Sequence, residues 1–174
     1  IGNTLFSDYG LVILDGNDAA LKEEFASYVK QELLEGTSHT EINATSNRLT
    51  KLGYPQQVFP REINLFYLAD GLRERIIEKE GQFYVNDTSI VFSRDEILVE
   101  LEKNPQNFSP NALLRPLYQE VVLPNLCYVG GGGELAYWFQ LKDYFKSVKI
   151  PFPILLLRNS ALLMSENDAK KIKK

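Results

Sequence analysis

In 174 residues the chain carries one cysteine, one histidine, one tryptophan and one methionine. The single thiol, Cys127, excludes an internal disulfide. With His39 as the only histidine, no Cys/His set for zinc can be assembled, and no metal site is expected. No apolar run reaches about 18 residues and no basic leader precedes an apolar segment, so neither a spanning helix nor a secretory signal is read. A cytoplasmic protein without a membrane partner is expected. The formal charge of −4 argues against a general nucleic-acid surface. The one lysine cluster, Lys170, Lys171, Lys173 and Lys174, reads as a solvated helix start. No internal repeat or low-complexity stretch is present.

What remains is a composition for folding: 44% of the residues are hydrophobic, enough for one domain with a core, with or without an insertion. The chain starts at Ile1 and stops inside an apparent helix at Ser165 to Lys174, which reads as an excised piece of a longer protein.

The most unusual stretch joins an apolar segment, Val121 to Val129, to a helical pattern through four glycines, Gly130, Gly131, Gly132 and Gly133. Leu135, Trp138, Phe139, Leu141, Phe145 and Val148 recur with helical period. A strand, a glycine loop and a helix N-terminus form an anion site, because the first helical N–H groups lack internal partners and the dipole is positive there. A ligand-facing loop and a structural turn both remain open readings. Cys127 lies in the apolar segment and reads as a small buried hydrophobe. Ser38 and Glu41 match a capping box, which puts His39 in the first turn of a helix.

Elsewhere the pattern divides into segments. Tyr9 to Asp15 reads as a buried parallel strand, and Asp18 caps a helix that carries Leu21, Phe25, Val29 and Leu33 and stops at Gly36. A second helix spans Ser38 to Leu52. From Pro60 the period becomes two: Ile63 to Leu68, Arg73 to Glu78, Gln82 to Val85 and Ser89 to Phe92, separated by Asp70-Gly71, Glu80-Gly81 and Asn86-Asp87, predict an antiparallel meander. Ser93 and Glu96 form a capping box for a helix that ends before Asn104-Pro105. Ile154 to Leu157 is the next buried strand. The predicted class is α/β: a partial Rossmann-like parallel sheet interrupted by a small α+β insertion with an antiparallel meander. The core is placed at 1–54 and 113–165, the inserted connective domain at 55–112, and the start of a C-terminal helix or coiled coil at 166–174.

Gly131, Gly133 and Ala136 fit the loose dinucleotide fingerprint, yet the strand that should end in an acidic residue ends in Arg158-Asn-Ser160, which suits a 2′-phosphate at best. Glu134 follows the glycines in the first helical turn. It either complements the dipole or holds a ligand amine or hydroxyl, and its charge opposes direct phosphate binding. Tyr137 and Gln140 extend its polar surface, whereas Trp138 and Phe139 are assigned to the core. Arg115, just before Pro116, is biased toward extended backbone. It aims a planar fork at a carboxylate or phosphate, or else bonds backbone carbonyls as a buried arginine.

Phe108-Ser-Pro-Asn-Ala-Leu-Leu-Arg-Pro-Leu-Tyr-Gln119, followed by Leu123-Pro-Asn-Leu-Cys-Tyr-Val-Gly-Gly-Gly-Gly-Glu-Leu-Ala-Tyr-Trp-Phe-Gln-Leu141, closely resembles the cysteine-adding enzymes of bacillithiol biosynthesis, the BshC family. Arg61 to Phe66 and Gly71 to Ile76 resemble the same family, so the likeness runs through nearly the whole chain. One departure is Gly132, where the family usually carries proline, which implies a looser loop.

The resemblance implies a Rossmann-like core, an inserted connective domain, a C-terminal coiled coil able to form a homodimer, and a ligase that joins cysteine to glucosaminyl malate. ATP is implied only through fold relatives. The family's N-terminal nucleotide motif has no counterpart here, so the isolated piece is expected to be inactive. On this reading Arg115 and Glu134 carry the chemistry, with Ser109, Asn111, Gln119, Gly130 to Gly133, Tyr137 and Gln140 binding substrate or nucleotide. A nucleotide-binding module without chemistry and an NADP-linked oxidoreductase domain are the alternatives.

Overall fold

The computed structural model describes residues 1–172. Lys173 and Lys174, the end of the expected coiled-coil start, lie outside the described residues. The elements in order are α1 (Gly2–Phe6), α2 (Ala19–Glu35), α3 (Thr37–Lys51), β1 (Leu65–Ala69), β2 (Leu72–Lys79), β3 (Gln82–Val85), β4 (Val91–Phe92), α4 (Arg94–Lys103), β5 (Phe108–Pro110), α5 (Arg115–Val122), β6 (Cys127–Gly130), α6 (Gly132–Gln140), α7 (Lys142–Ser147), β7 (Ile154–Leu157) and α8 (Glu166–Ile172).

The elements form two sheets. The meander closes into an antiparallel sheet of order β4-β3-β2-β1-β5, and β6 pairs with β7 in parallel. The Glu80-Gly81 turn has positive φ at both residues, 53° and 79°, which is what a two-residue hairpin with matching twist requires. The capping box of α4 is present: the Ser93 hydroxyl accepts the Glu96 N–H and the Glu96 carboxylate accepts the Ser93 N–H. The chain is thus mixed α/β, with a parallel pair and an antiparallel meander.

One apolar cluster joins these parts. Phe25, Val29 and Leu33 of α2 meet Ile63, Leu65, Tyr67, Ile76, Phe83 and Val85 around the meander, and the same cluster continues to Leu117, Trp138, Leu141 and Phe145. A buried polar staple fastens it. The Glu32 carboxylate, 1% exposed, accepts bonds from the Ser38 N–H and hydroxyl and from the Asn64 N–H and side-chain amide.

Several local expectations are corrected. Tyr9 to Asp15 forms no strand. Tyr9 ends a 3₁₀ turn, the Leu11 N–H bonds back to the Phe6 carbonyl, and Leu11 to Leu14 are exposed, with no strand among the described residues pairing with them. Ser38 is not a cap. Gly36, at φ 58°, ends α2 and starts α3 directly, so Ser38 falls inside the helix and bonds Glu32. Val121 and Val122 belong to α5, since Leu114, Leu117, Tyr118 and Val121 recur at helical spacing and outweigh β-branching. Only Cys127–Gly130 is strand.

The parallel pair is not buried on both faces. Tyr128 and Leu155 pack on the core, while Cys127 is exposed and Ile154 and Leu156 are 70% and 55% exposed. A parallel strand becomes wholly buried when layers cover both faces. Here α6 and the aromatic core cover one.

Candidate functional site

The four glycines make hardly any loop. Gly130 ends β6, Gly131 is the residue before α6, and Gly132 and Gly133 are already helical. None of the four has positive φ. What glycine supplies at two of them is closeness. A Cβ on Gly130 would lie 2.7 Å from the Tyr128 ring, and one on Gly131 would lie 3.2 Å from the Arg158 guanidinium. Gly132 and Gly133 face open space. Gly132 is the first helical residue, a position that also suits proline.

Glu134 folds back on this end. Its carboxylate accepts the Gly131 N–H at 2.9 Å and the Tyr128 hydroxyl at 3.1 Å. Those two bonds, in that order, hold its carboxyl below the ordinary range, with further help from the charges of Arg158 and Arg115. Burial pushes the Tyr128 phenol up, and its bond to Glu134 adds to the shift, while Arg115 opposes it. The carboxylate thus sits on the helix start as a charged cap, and its charge still opposes an anion bound directly at that end.

Arg115 approaches from α5. It is the first residue of that helix rather than extended backbone, because Pro116 needs no N–H partner in the first turn and Asn111 shapes the entry. The Asn111 side-chain oxygen accepts the N–H groups of Leu113 and Leu114, and its backbone carbonyl accepts that of Arg115. The guanidinium donates to Tyr137 Oη at 2.9 Å and to Gln119 Oε1 at 3.1 Å. Burial works against its charge, but the Tyr137 and Tyr128 hydroxyls outweigh it and the cation is held more firmly than usual. Arg158 enters from the end of β7, where its N–H bonds the Gly130 carbonyl at 2.9 Å.

The structure therefore gathers Arg115, Gln119, Glu134, Tyr137 and Gly130 to Gly133. It does not gather three other candidates. Ser109 sits on β5 opposite Phe66. Asn111 is occupied with its turn and with Asn64. Gln140 is 1% exposed, and its amide is shared among the Gln57 and Val58 backbone and Ser46. Tyr128 was missed. Strand alternation is the signal that finds it, since Tyr128 and Gly130 lie on the same face of β6. Phe139, assigned to the core, is 50% exposed.

Among the described residues, no group of three or more His, Cys, Asp or Glu side chains is placed to hold a metal, and no helix is long and apolar enough to cross a membrane. Two arginines, two phenols and the Glu134 carboxylate meet near the start of α6, a set of donors and one acceptor whose chemistry suits carboxylate and hydroxyl groups.

The model of the BshC N-terminal Rossmann-like domain of bacillithiol biosynthesis matches residues 1–159. The chain belongs to the BshC family. A Flavobacterium johnsoniae protein named "Putative cysteine ligase BshC" is 56% identical over 171 residues, which is 98% of this chain and 32% of that protein. Proteins of the same name from Christiangramia forsetii and Shouchella clausii are 53% identical over 173 residues and 41% identical over 144. They are covered to 32% and 27% of their lengths, by 98% and 81% of this chain. The chain thus spans about a third of the length of these BshC relatives.

Proposed function

We propose that the full-length protein is a cytosolic ligase that joins cysteine to the amino group of glucosaminyl malate, and that this chain supplies one wall of its site. The observation that carries the reading is Arg115. A half-buried guanidinium held by Tyr137 and Gln119 beside the N-terminus of α6 is a built receptor for a carboxylate. In this family the malate is the substrate group that fits it. Glu134 is already tied to Tyr128 and stands where an amine or a sugar hydroxyl would be oriented. Dimerisation through a coiled coil rests on the family resemblance alone.

A carboxylate has no leaving group, so amide formation needs activation, which a nucleoside triphosphate supplies when bound. The residues present leave room for such a group: Arg158 lies against Gly131, and a side chain on Gly132 or Gly133 would meet nothing within 4 Å, while the Gly131 N–H is already bonded to Glu134. Arg115 and Arg158 would hold charge at that end, and Tyr128 would keep the Glu134 carboxylate aligned.

The test is bacillithiol content, read by thiol labelling, in cells carrying the full-length gene, its deletion, or the variants R115A and E134A. The expected result is loss of bacillithiol with accumulation of glucosaminyl malate in the deletion and in both variants. Unchanged bacillithiol in the deletion overturns the ligase reading. Loss in the deletion with normal content in both variants removes the roles given to Arg115 and Glu134.

A further inference from the structure

Tyr128 is held by its ring. On β6 it falls on the side that packs against the core, and its ring stacks on Trp138 of α6, with centroids 4.2 Å and planes 24° apart. Trp138 is wholly buried and is backed by Phe145 and Phe152, at 5.9 and 6.0 Å between centroids. Gly130, two residues on, keeps clear of the Tyr128 ring only by lacking a side chain: a Cβ there would lie 2.7 Å from one ring carbon and 3.3 Å from another. A ring confined in this way carries its hydroxyl to one place.

That place lies between opposite charges. The hydroxyl donates to Glu134 Oε1 at 3.1 Å, and it also faces the Arg115 guanidinium, which favours the phenolate as the hydroxyl favours the cation. The second Glu134 oxygen is taken by the Gly131 N–H, and that bond completes the start of α6 without any phenol. The cap therefore fixes one oxygen of Glu134 and leaves the other to be aimed by its partner. Among the described residues no other side chain bonds this carboxylate, and Tyr137, which ties Arg115 to α6, is not bonded to it. The Tyr128 hydroxyl is thus spare as a fold element and is placed where a cation from α5 and a carboxylate from α6 approach each other.

We infer that Tyr128 is a positioning residue that locks Arg115 and Glu134 into one receptor, shaped for a molecule that carries a carboxylate and, at a set spacing, an amine or hydroxyl donor. The inference rests on the substrate roles proposed for Arg115 and Glu134. Either group alone grips half of such a molecule. Held in register they bind it as a unit, and the loss of one makes the other less effective.

The test is the Kd for glucosaminyl malate in the full-length protein, measured calorimetrically for the parent, Tyr128→Phe, Arg115→Ala, Glu134→Ala and their combinations. Tyr128→Phe keeps the ring on Trp138 and removes one oxygen, and it is expected to weaken binding about tenfold. With the hydroxyl present, Arg115→Ala and Glu134→Ala together should lose far less than the sum of their separate losses; on top of Tyr128→Phe the two losses should add. The pH profile is a second readout. The Tyr128 bond helps to hold the Glu134 carboxyl below the ordinary range, so Tyr128→Phe should move the acid limb of binding to higher pH, which a ring that only filled the core would not do. Gly130→Ala, which displaces the ring and keeps the hydroxyl, should reproduce both effects. Parental affinity and acid limb in Tyr128→Phe, or losses that add with and without the hydroxyl, overturn the inference and leave Arg115 and Glu134 their roles. No binding by the parent, or parental affinity in both Arg115→Ala and Glu134→Ala, overturns those roles and the inference with them.

Discussion

Lys22 is a buried cation that, among the described residues, pairs with no carboxylate. It is 3% exposed on α2, its ammonium donates to the Phe108 carbonyl at 2.7 Å, and it lies 5.3 Å from the centre of the Tyr118 ring. Burial lowers its pKa from 10.5 to about 8. The folded state therefore binds this proton less readily than the unfolded chain, so stability rises with pH while the unfolded lysine is still charged. The penalty is fully present below about pH 8 and is relieved as pH climbs toward 10.5. A shift of this size corresponds to roughly 3 kcal/mol. Lys22→Met removes the charge but leaves the Phe108 carbonyl without its donor, a loss of about 1 to 3 kcal/mol. At pH 7 the two effects nearly offset, and the variant is expected to be neutral or modestly more stable. The pH dependence is the sharper result. Urea unfolding followed by the fluorescence of Trp138, the chain's one tryptophan, should show the parent gaining up to about 3 kcal/mol on the variant between pH 7.5 and 10.5. The tyrosines titrate in both proteins and cancel. A stability difference that stays flat across this window would refute the reasoning.

Three further outcomes are expected. On the proposed ligase reading, Tyr137→Phe in the full-length protein removes one hydrogen-bond partner of Arg115 and should raise the KM for glucosaminyl malate about tenfold, an effect of about 1.4 kcal/mol, with little change in kcat; an unchanged KM would separate Tyr137 from substrate binding. Glu32→Ala strands the Ser38 and Asn64 donors in the core and should cost about 3 kcal/mol in a urea titration. A cost within 0.5 kcal/mol would mean that water replaces the carboxylate. Cys127, being exposed, should react with a thiol reagent in the folded 174-residue chain without denaturant, and labelling only after unfolding would contradict its place on the outer face of β6.

The elements with strong local signals were legible. Asp18 and Gly36 bracket α2 because a side-chain cap and a left-handed glycine are short-range chemistry. The meander was readable because alternation and turn pairs repeat every few residues. The fate of Tyr9 to Leu14, Cys127 and Ile154 was not readable, since an apolar run says nothing about which of its faces finds a covering layer. The site was half legible. Glu134, Arg115 and the glycines stand out by type and position, but their bonds to Tyr128 and Tyr137 depend on how α5 and α6 approach each other. Gln140 shows the converse. Its sequence position matched the site's helix face, yet its amide was recruited by Gln57, Val58 and Ser46 from the connector after α3 and from α3 itself.

The pairing of Gly130 with Leu157, followed by the bond from the Arg158 N–H to the Gly130 carbonyl, has a consequence for how this chain tolerates change in length. The connector at Lys149 to Pro153 can gain or lose a residue without altering which atoms face each other, provided the ladder re-forms. One residue inserted within Ile154–Leu157 would carry Arg158 about 3.3 Å along the strand and turn it to the opposite face. Insertions and deletions among natural variants should therefore collect in the connector and spare the four-residue strand, which sets the reach of the guanidinium as a ruler sets a length.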